Sequence, residues 1–116
     1  MPRTAEHPEN TYRGQADLHR ALDHPVRLAI LEILRDGEEC VCHMEAILGL
    51  RQAYISQHLM VLREAGLVQD RRDGRIVFYH APRREVYKVM DAVRALTGPG
   101  QLLKPAENCP CPKCNR

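Results

Sequence analysis

The chain has 116 residues, of which 44% are hydrophobic and 28% charged, and 17 basic against 15 acidic side chains give a net charge of +2. These values describe one small globular domain, and because a domain of this size buries a modest fraction of its surface, we expect dimerisation to add to its core. No apolar run reaches the roughly 18 residues of a membrane helix, and the N-terminus lacks the apolar core of a signal peptide, so we expect a cytosolic protein with no membrane partner.

The N-terminal part predicts a polar arm followed by two helices. Residues 1–11 mix charges with two prolines and predict a loose arm, and a first helix is expected over about residues 12–22. The second helix is expected over residues 25–34, since Asp23 or His24 can cap it and proline suits a first helical turn. Its apolar residues lie on both sides, which predicts a core helix covered by protein on both faces.

Two cysteines open the next segment. Cys40 and Cys42 precede a third helix that ends near Gly49. Residues two apart project about 200° from each other in a regular helix but lie on the same side of an extended or turn backbone, so both sulfurs can bind one ion only where the helix start is irregular. A thiolate near a helix N-terminus is favoured electrostatically, and thiolates select soft ions such as zinc, cadmium, lead, mercury and trivalent arsenic or antimony. The alternative interpretation is that both cysteines are small buried hydrophobic side chains.

Residues 52–65 carry the clearest helical pattern in the chain. Ile55, Leu59 and Leu62 lie on one face, as expected for a side packed on the core. The opposite face is largely uncharged and suited to hydrogen bonding or packing, where a solvated helix would carry Lys and Glu. That face holds Ala53, Tyr54, Ser56, Gln57 and Met60.

A basic hairpin follows that helix. Residues 67–81 predict two strands joined at the Asp73-Gly74 turn, with arginines around its tip. Residues 51–84 hold seven arginines and three carboxylates, although the whole chain has a net charge of only +2. Two helices joined by a short turn and followed by a basic hairpin predict a helix-turn-helix with a wing, whose second helix enters the major groove and whose wing contacts phosphates. For the hairpin alone, a solvated surface turn is the alternative.

The predicted partner is therefore operator double-stranded DNA. We expect its contacts to come from the start and outer face of the second of these helices and from the hairpin. The expected residues are Gln52, Ala53, Tyr54, Ser56, Gln57, His58, Arg71, Arg72 and Arg75. His58 lies at the flank of the helix, where packing or hydrogen bonding is the alternative role.

A last helix and a tail complete the chain. Residues 83–97 predict a helix whose apolar stripe pairs with its twin in a homodimer, with monomer core as the alternative. The stripe holds Val86, Val89, Met90, Val93 and Leu96. Because Pro and Gly end this helix, we divide the chain into an arm (1–11), a winged helix-turn-helix domain with a C-terminal dimerisation helix (12–97) and a cysteine-rich tail (98–116). The predicted fold class is mainly α with a small β-hairpin.

These segments resemble the ArsR/SmtB family of dimeric winged-helix repressors over about residues 18–96. The resemblance rests on HPVRLAILEIL, on ECVCHMEAILGL and on RQAYISQHLMVLREAGLVQDRRDGRIVFYH. The family's metal-site signature, at the start of its third helix, is similar to residues 38–44, and its recognition helix resembles residues 56–59 and 62–67. The resemblance implies a repressor that occupies the operator of its own detoxification operon and leaves it when metal binds.

Two thiolates alone bind an ion weakly, and the chain departs from familiar subtypes of that family. Glu45 stands where some arsenite sensors carry a third cysteine, the arm has no cysteine, and the last helix has no histidine for a zinc site at the dimer interface. His43 is a candidate auxiliary ligand. The remaining thiols are in the tail. They are Cys109, Cys111 and Cys114.

Three interpretations of the tail stay open. Its cysteines complete a site with Cys40 and Cys42 in the same protomer or the other, or form a separate three-thiolate site or zinc knuckle, or act as a redox pair through Cys-Pro-Lys-Cys. The predicted function is repression of a metal or metalloid resistance operon, relieved when arsenite or antimonite, or cadmium, lead or zinc, binds these cysteines.

Two other functions are the alternatives. One is a thiol redox or sulfide-responsive repressor on the same fold, in which Cys40 or Cys42 forms a disulfide or polysulfide with the tail. The other is a metal-trafficking or redox enzyme that uses the CPKC sequence. An enzyme needs a pocket with an acid, base or nucleophile constellation, and the sequence suggests none, so we predict that the protein is not an enzyme.

Overall fold

The computed structural model describes residues 7–100 and Leu103. Within that part of the chain the helices are α1 (Pro8–Thr11), α2 (Arg13–Ala21), α3 (Pro25–Ile33), α4 (Val41–Leu48), α5 (Gln52–Glu64) and α6 (Glu85–Thr97). The strands are β1 (Glu39–Cys40), β2 (Gln69–Asp73) and β3 (Ile76–His80), which form one antiparallel sheet in the order β1-β3-β2. The predicted fold class, mainly α with a small β-hairpin, is confirmed, and the structure adds a third strand to it.

The arm ahead of α2 is more ordered than expected where the structure describes it. Residues 8–11 form the short helix α1, and Nδ1 of His7 accepts a hydrogen bond from the backbone N–H of Glu9 at 3.3 Å. A histidine cap and a proline in the first turn explain why a helix begins in so polar a segment. Residues 1–6 of the predicted arm lie outside the described residues.

Local capping also fixes the start of α3. His24 is extended, and its Nδ1 accepts a hydrogen bond from the backbone N–H of Val26 at 3.1 Å, while Pro25 takes the first helical position. This cap satisfies one of the N–H groups that a helix start leaves unpaired. The predicted role of His24 as a cap is confirmed. A 3-10 turn, Leu34–Asp36, continues the end of α3.

One hydrophobic core joins α3, α4, α5 and the start of the hairpin. Ile55, Leu59 and Leu62, whose spacing predicted a buried face for α5, are all 0 to 1% exposed. Burial of a Leu or Ile side chain contributes about 1.5–3 kcal/mol, so this face holds α5 firmly on the core. The other fully buried members of this core are Ile30, Leu31, Leu34, Met44 and Val68.

Helices α4 and α5 form the predicted helix-turn-helix. The first ends at Leu48, and its C-cap residue Gly49 has a left-handed φ of +65° and donates its N–H to the carbonyl of Glu45 at 2.8 Å. Glycine adopts this conformation without a Cβ clash, which is why α4 stops there. Two residues, Leu50 and Arg51, separate Gly49 from the first residue of α5.

The wing, residues 69–80, is the hairpin of β2 and β3. Every residue of β2 is exposed, whereas β3 is half-buried and its Phe78 is buried. Strand β1 pairs with β3 through Glu39 opposite Tyr79 and Cys40 opposite Phe78, so Cys40 belongs to the same sheet as the wing. The sequence predicted only the two strands of the hairpin and missed β1, because a strand of two residues is too short to produce a periodic pattern.

Helix α6 is buried along its first half and exposed along its second. Val86 and Met90 are 4% and 9% exposed and belong to the core of their own protomer, whereas Val89 is half-buried. Val93 and Leu96 are 49% and 88% exposed. Val86 and Met90 thus take part in the monomer core, which is the alternative that the sequence left open, and the pairing of the stripe with a second copy stays a prediction.

Candidate DNA-binding and thiol sites

The outer face of α5 is polar and uncharged over its first two turns. Gln52, Ala53 and Gln57 are exposed, Ser56 is half-buried, and Met60 is 61% exposed. A glutamine amide can form two hydrogen bonds with adenine in the major groove, and apolar groups can contact the thymine methyl. This face therefore carries the chemistry needed to read base edges, and its contacts with DNA stay a prediction.

The inner edge of α5 packs against the start of α3. Ring centroids lie 4.2 Å apart for His24 and His58 and 4.7 Å apart for Tyr54 and His58. Tyr54 keeps 39% of its surface exposed, but His58 keeps only 7%. The expectation that His58 contacts DNA is corrected by this burial, because its ring faces α3 instead of solvent.

Arg27 connects three helices around His58. Its Nη1 donates to Nδ1 of His58 at 3.2 Å. Its Nε and Nη2 donate to the carbonyls of Ala21 and Arg20, at the end of α2, at 2.6 and 3.0 Å. Because Nδ1 accepts, neutral His58 carries its proton on Nε2, and that atom is buried without a hydrogen-bond partner among the described residues. Burial, reinforced by His24 and Arg27, lowers the pKa of His58, so the neutral ring is the form that fits.

The arginines of the wing differ in what they contact. Arg72 lies in β2 and Arg75 in the turn, and both are exposed. Arg71 forms an ion pair with Glu38 through two contacts, one of them 3.1 Å from Nε to Oε2, and this pairing raises the pKa of Arg71. Its guanidinium also lies 4.9 Å from the ring centroid of Phe78. Arg72 and Arg75 are thus better placed for phosphate contacts than Arg71, which is engaged within the chain.

The thiol segment, residues 38–42, links the sheet to α4. Cys40 is the extended N-cap residue of that helix, and its Sγ accepts a hydrogen bond from the backbone N–H of His43 at 3.3 Å. Cys42 lies in the first turn. Cys40 therefore lies outside the regular part of the helix, as two sulfurs on one side would require. The N–H donor and the helix dipole both stabilise negative charge on the sulfur of Cys40.

The two cysteines differ in burial. Cys40 is 1% exposed, whereas Cys42 is half-buried. Both belong to a small apolar cluster that is separate from the main core. Its other members are Phe78, Ala46 and Ile76. In this conformation Cys40 packs as a small hydrophobic side chain, and an ion that binds its sulfur needs a local rearrangement.

Further ligands for a soft ion are few in the described part of the chain. Nδ1 of His43, the candidate auxiliary ligand, lies 3.5 Å from Oε2 of Glu39. Among residues 7–100 and Leu103, no group of three or more Cys, His, Asp and Glu side chains is arranged to hold a metal ion. The predicted tail ligands lie outside the described residues. They are Cys109, Cys111 and Cys114.

Two residues that contact Arg71 were not predicted as site residues. Glu38 and Phe78 both contact Arg71, and Phe78 also lies opposite Cys40 in the sheet. Phe78 could have been noticed as the one phenylalanine of the chain, within an apolar strand. The pairing of Glu38 spans 33 residues, and no local pattern indicates it.

A groove of about 850 Å³ lies between α2, α3 and α6. Its wall includes Leu28, Val89 and Val93, with Leu103 at one end. Three residues of the predicted subunit stripe, Val89, Met90 and Val93, therefore line this groove.

Comparison with known proteins identifies the family of the chain. Residues 24–70, from the start of α3 into β2, match the family model described as "Bacterial regulatory protein, arsR family". The Biofilm growth-associated repressor of Agrobacterium fabrum is 40% identical over 81 residues, which are 70% of this chain and 69% of that protein. The Arsenic resistance transcriptional regulator ArsR1 of Pseudomonas putida is 45% identical over 71 residues, which are 61% of this chain and 54% of that protein.

Solved structures agree with this assignment. NolR from Sinorhizobium fredii superposes with a TM-score of 0.74 at 30% identity, covering 86% of this chain and 100% of that one. The homodimeric winged helix-turn-helix DNA-binding domain Mb0332 from Mycobacterium bovis superposes with a TM-score of 0.70 at 26% identity, covering 84% of this chain and 90% of that one. In residues 7–100 no helix has the length and apolar character needed to cross a membrane. These relatives are regulators and not enzymes, and the chain belongs to the ArsR/SmtB family of DNA-binding transcriptional repressors.

Proposed function

We propose that the protein represses a metal or metalloid resistance operon as a cytosolic homodimer, and that a thiophilic ion bound at Cys40 and Cys42 releases it from the operator. The observation that carries this proposal is the position of Cys40, which lies in extended backbone just outside α4, two residues before Cys42. Bonds from both sulfurs to one ion would act on the first helix of the helix-turn-helix, and α5 follows it after a short turn.

The chemistry of the thiols supports a soft ion as inducer. Arsenite is our first choice because trivalent arsenic binds thiolates, with antimonite, cadmium, lead or zinc as the other ions of this class. The similarity to ArsR1, a regulator named for arsenic resistance, supports the same choice. Thiols also remain reduced in the cytosol, so they stay competent to bind such an ion.

A third sulfur is proposed to come from the tail. Thirteen residues lead from Leu96 to Cys109. When extended they span up to about 43 Å, so the tail can reach the thiol segment of its own protomer or of a second one. We propose that one or two of the tail cysteines complete a site of three or four sulfurs with Cys40 and Cys42. They are Cys109, Cys111 and Cys114.

The proposed dimer uses the groove between α2, α3 and α6. Val93 exposes apolar surface in this groove, and Leu96 is exposed elsewhere on α6. A small domain gains burial by pairing such apolar faces with a second copy. The similarity to Mb0332, whose DNA-binding domain is homodimeric, supports this assembly. Two copies of α5 would then read two half-sites of the operator, with Arg72 and Arg75 on flanking phosphates.

Ion binding to reduced protein tests the proposal. Arsenite, cadmium and zinc are titrated separately, and thiolate-to-ion absorption measures stoichiometry and the number of sulfurs bound. We expect three or more sulfurs per ion in the natural chain, and weak binding both in the Cys40→Ser/Cys42→Ser variant and in the variant with all three tail cysteines replaced by serine. If the Cys40→Ser/Cys42→Ser variant binds the ion as tightly as the natural chain, the proposed site is wrong.

A thiol redox switch is the second candidate. The small number of sulfurs at the site favours it. The described residues bring two thiols to the site and no third ligand, and a disulfide between Cys42 and one tail cysteine needs only two sulfurs. Peroxide would accept the two electrons and two protons released as the S–S bond forms, giving water. Release of operator DNA by peroxide, reversed by a dithiol reductant and unaffected by arsenite or cadmium, would favour this candidate over the metal sensor.

A further inference from the structure

Cys40 is covered by the wing. Its side chain is 1% exposed, and it packs with Phe78 of β3 in the small apolar cluster that is separate from the main core. The two residues also lie opposite each other in the pairing of β1 with β3. The sulfur proposed to bind the inducer is thus in direct contact with an element proposed to bind DNA.

A second set of contacts joins the same two elements. Glu38 of the thiol segment pairs with Arg71 of β2, and Arg71 lies over the ring of Phe78 at 4.9 Å. Arg71 and Phe78 are also cross-strand partners in the hairpin. Contacts therefore run from Glu38 through Arg71 and Phe78 back to Cys40, and they connect the thiol segment to both strands of the wing.

Ion binding at Cys40 is incompatible with this packing. A soft ion bonds sulfur at about 2.3 Å and brings further ligands with it, so it needs space that Phe78 now fills. Strand β1 has only two residues, so its pairing with β3 depends on two residue pairs, Glu39 with Tyr79 and Cys40 with Phe78. Close-packed cores respond to such an intrusion by switching arrangement rather than by deforming smoothly.

We infer that Phe78 and the Glu38–Arg71 ion pair are positioning residues that couple the thiol segment to the wing. An ion bound to Cys40 displaces Phe78 and separates Arg71 from Glu38, so the wing loses its orientation towards DNA. The inference rests on the proposed function and adds a route to it, because the signal reaches DNA through the sheet as well as through α4 and α5. By reciprocity, DNA that holds the wing in place must protect Cys40.

Alkylation of Cys40 tests this without any metal. In the full-length chain every other cysteine is replaced by serine, and the reaction of Cys40 with iodoacetamide is followed over a range of pH. The reagent is neutral, and the plateau rate at high pH reports access to the sulfur independently of its pKa. Circular dichroism and operator binding verify that the protein is folded.

The matched variants are Glu38→Gln and Asp73→Asn. Each removes one negative charge near Arg71, since Asp73 also approaches Arg71 at 3.8 Å, but only Glu38 lies on the thiol segment. We expect Glu38→Gln to raise the plateau rate about fivefold or more and Asp73→Asn to leave it nearly unchanged. Phe78→Leu is expected to raise the rate as well. Equal rates for the Glu38 and Asp73 variants would overturn the inference.

Operator DNA provides the second measurement. Saturating DNA is expected to slow alkylation of Cys40 about fivefold or more in the parent protein and to slow it much less in Glu38→Gln. Equal slowing in both proteins would mean that DNA only shields the sulfur, and it would overturn the coupling.

The inference and the proposed function can fail separately. In chains with all five cysteines, the ratio of operator affinities without and with cadmium is compared between the natural protein and Glu38→Gln. We expect the natural protein to show a large ratio and Glu38→Gln a ratio several times smaller. A large ratio that Glu38→Gln leaves unchanged refutes the coupling and keeps the sensor. If cadmium does not change the operator affinity of the natural protein and the alkylation results are as expected, the proposed metal sensor is refuted and the coupling between the thiol segment and the wing is kept.

Discussion

The pH dependence of stability is a direct check on how His58 holds α5. The ring is 7% exposed, and its Nδ1 accepts a hydrogen bond from Arg27. Protonation would place a charge in a buried position and would remove that acceptor. Burial, His24 and Arg27 all lower the pKa of His58 in the folded protein, and no carboxylate among residues 7–100 contributes to the shift. The groups facing the ring are therefore another imidazole, a guanidinium and the phenol ring of Tyr54.

The sign of the effect follows from proton binding. The unfolded chain protonates His58 near pH 6.5, about the ordinary histidine pKa, whereas the folded chain protonates it at lower pH. The contribution of neutral His58 to stability is thus fully present above about pH 6.5 and is lost as the pH falls below it. One proton changes the free energy of unfolding by at most about 1.4 kcal/mol per pH unit, until the pH passes below the folded pKa.

Urea unfolding measures this loss. The natural chain and His58→Gln are unfolded at one fixed protein concentration, because a dimer's stability depends on concentration, from about pH 8 to about pH 5. We expect the natural chain to lose up to about 1.4 kcal/mol per pH unit relative to His58→Gln below about pH 6.5. His80→Gln, at the end of β3 and away from the groove between α2, α3 and α6, is the control and should follow the natural chain. A difference between His58→Gln and the natural chain that does not vary with pH would show that His58 is not held neutral by its burial.

Three further predictions concern DNA binding and assembly. Gln57→Ala should cost about 1–3 kcal/mol of operator binding and reduce discrimination between operator variants, measured by competition titration. Unchanged discrimination would contradict the proposal that α5 reads the major groove. Arg72→Ala should weaken binding to every duplex alike and lower the salt slope by about one, and a loss confined to the operator would contradict a phosphate contact. Val93→Asp should leave the protomer folded, since the side chain is 49% exposed, yet shift sedimentation from dimer to monomer; a persistent dimer would place the interface elsewhere.

Sequence patterns located the features that depend on neighbouring residues. The spacing of Ile55, Leu59 and Leu62 predicted the buried face of α5, because helical burial repeats every three to four residues. The His24-Pro25 pair predicted the start of α3, because a cap and a first-turn proline act within one turn. The sequence could not show whether the backbone at Cys40 is helical, and the structure places this residue in extended backbone just outside α4.

Contacts between residues far apart in the chain could not be predicted from local sequence patterns. Cys40 and Phe78 are partners across a sheet whose edge strand has two residues, and so short a strand leaves no alternating pattern. An apolar stripe on a helix also does not say which chain covers it, which is why Met90 was assigned to a subunit contact although its own protomer buries it. His58 shows the same ambiguity, because its burial depends on what α3 places beside it.

Release of operator DNA by a thiophilic ion is the decisive property of the proposed sensor. Fluorescence anisotropy of labelled operator is followed while arsenite or cadmium is added to the natural chain and to the Cys40→Ser/Cys42→Ser variant. Serine preserves the helix cap at position 40, since its hydroxyl can accept the hydrogen bond that the N–H of His43 now donates to sulfur, so the variant should fold and bind operator normally. We predict that the natural chain leaves the operator and that the variant stays bound at the same ion concentration. Release of the variant at that concentration would contradict the proposed site and would mean that the sensor lies outside Cys40 and Cys42.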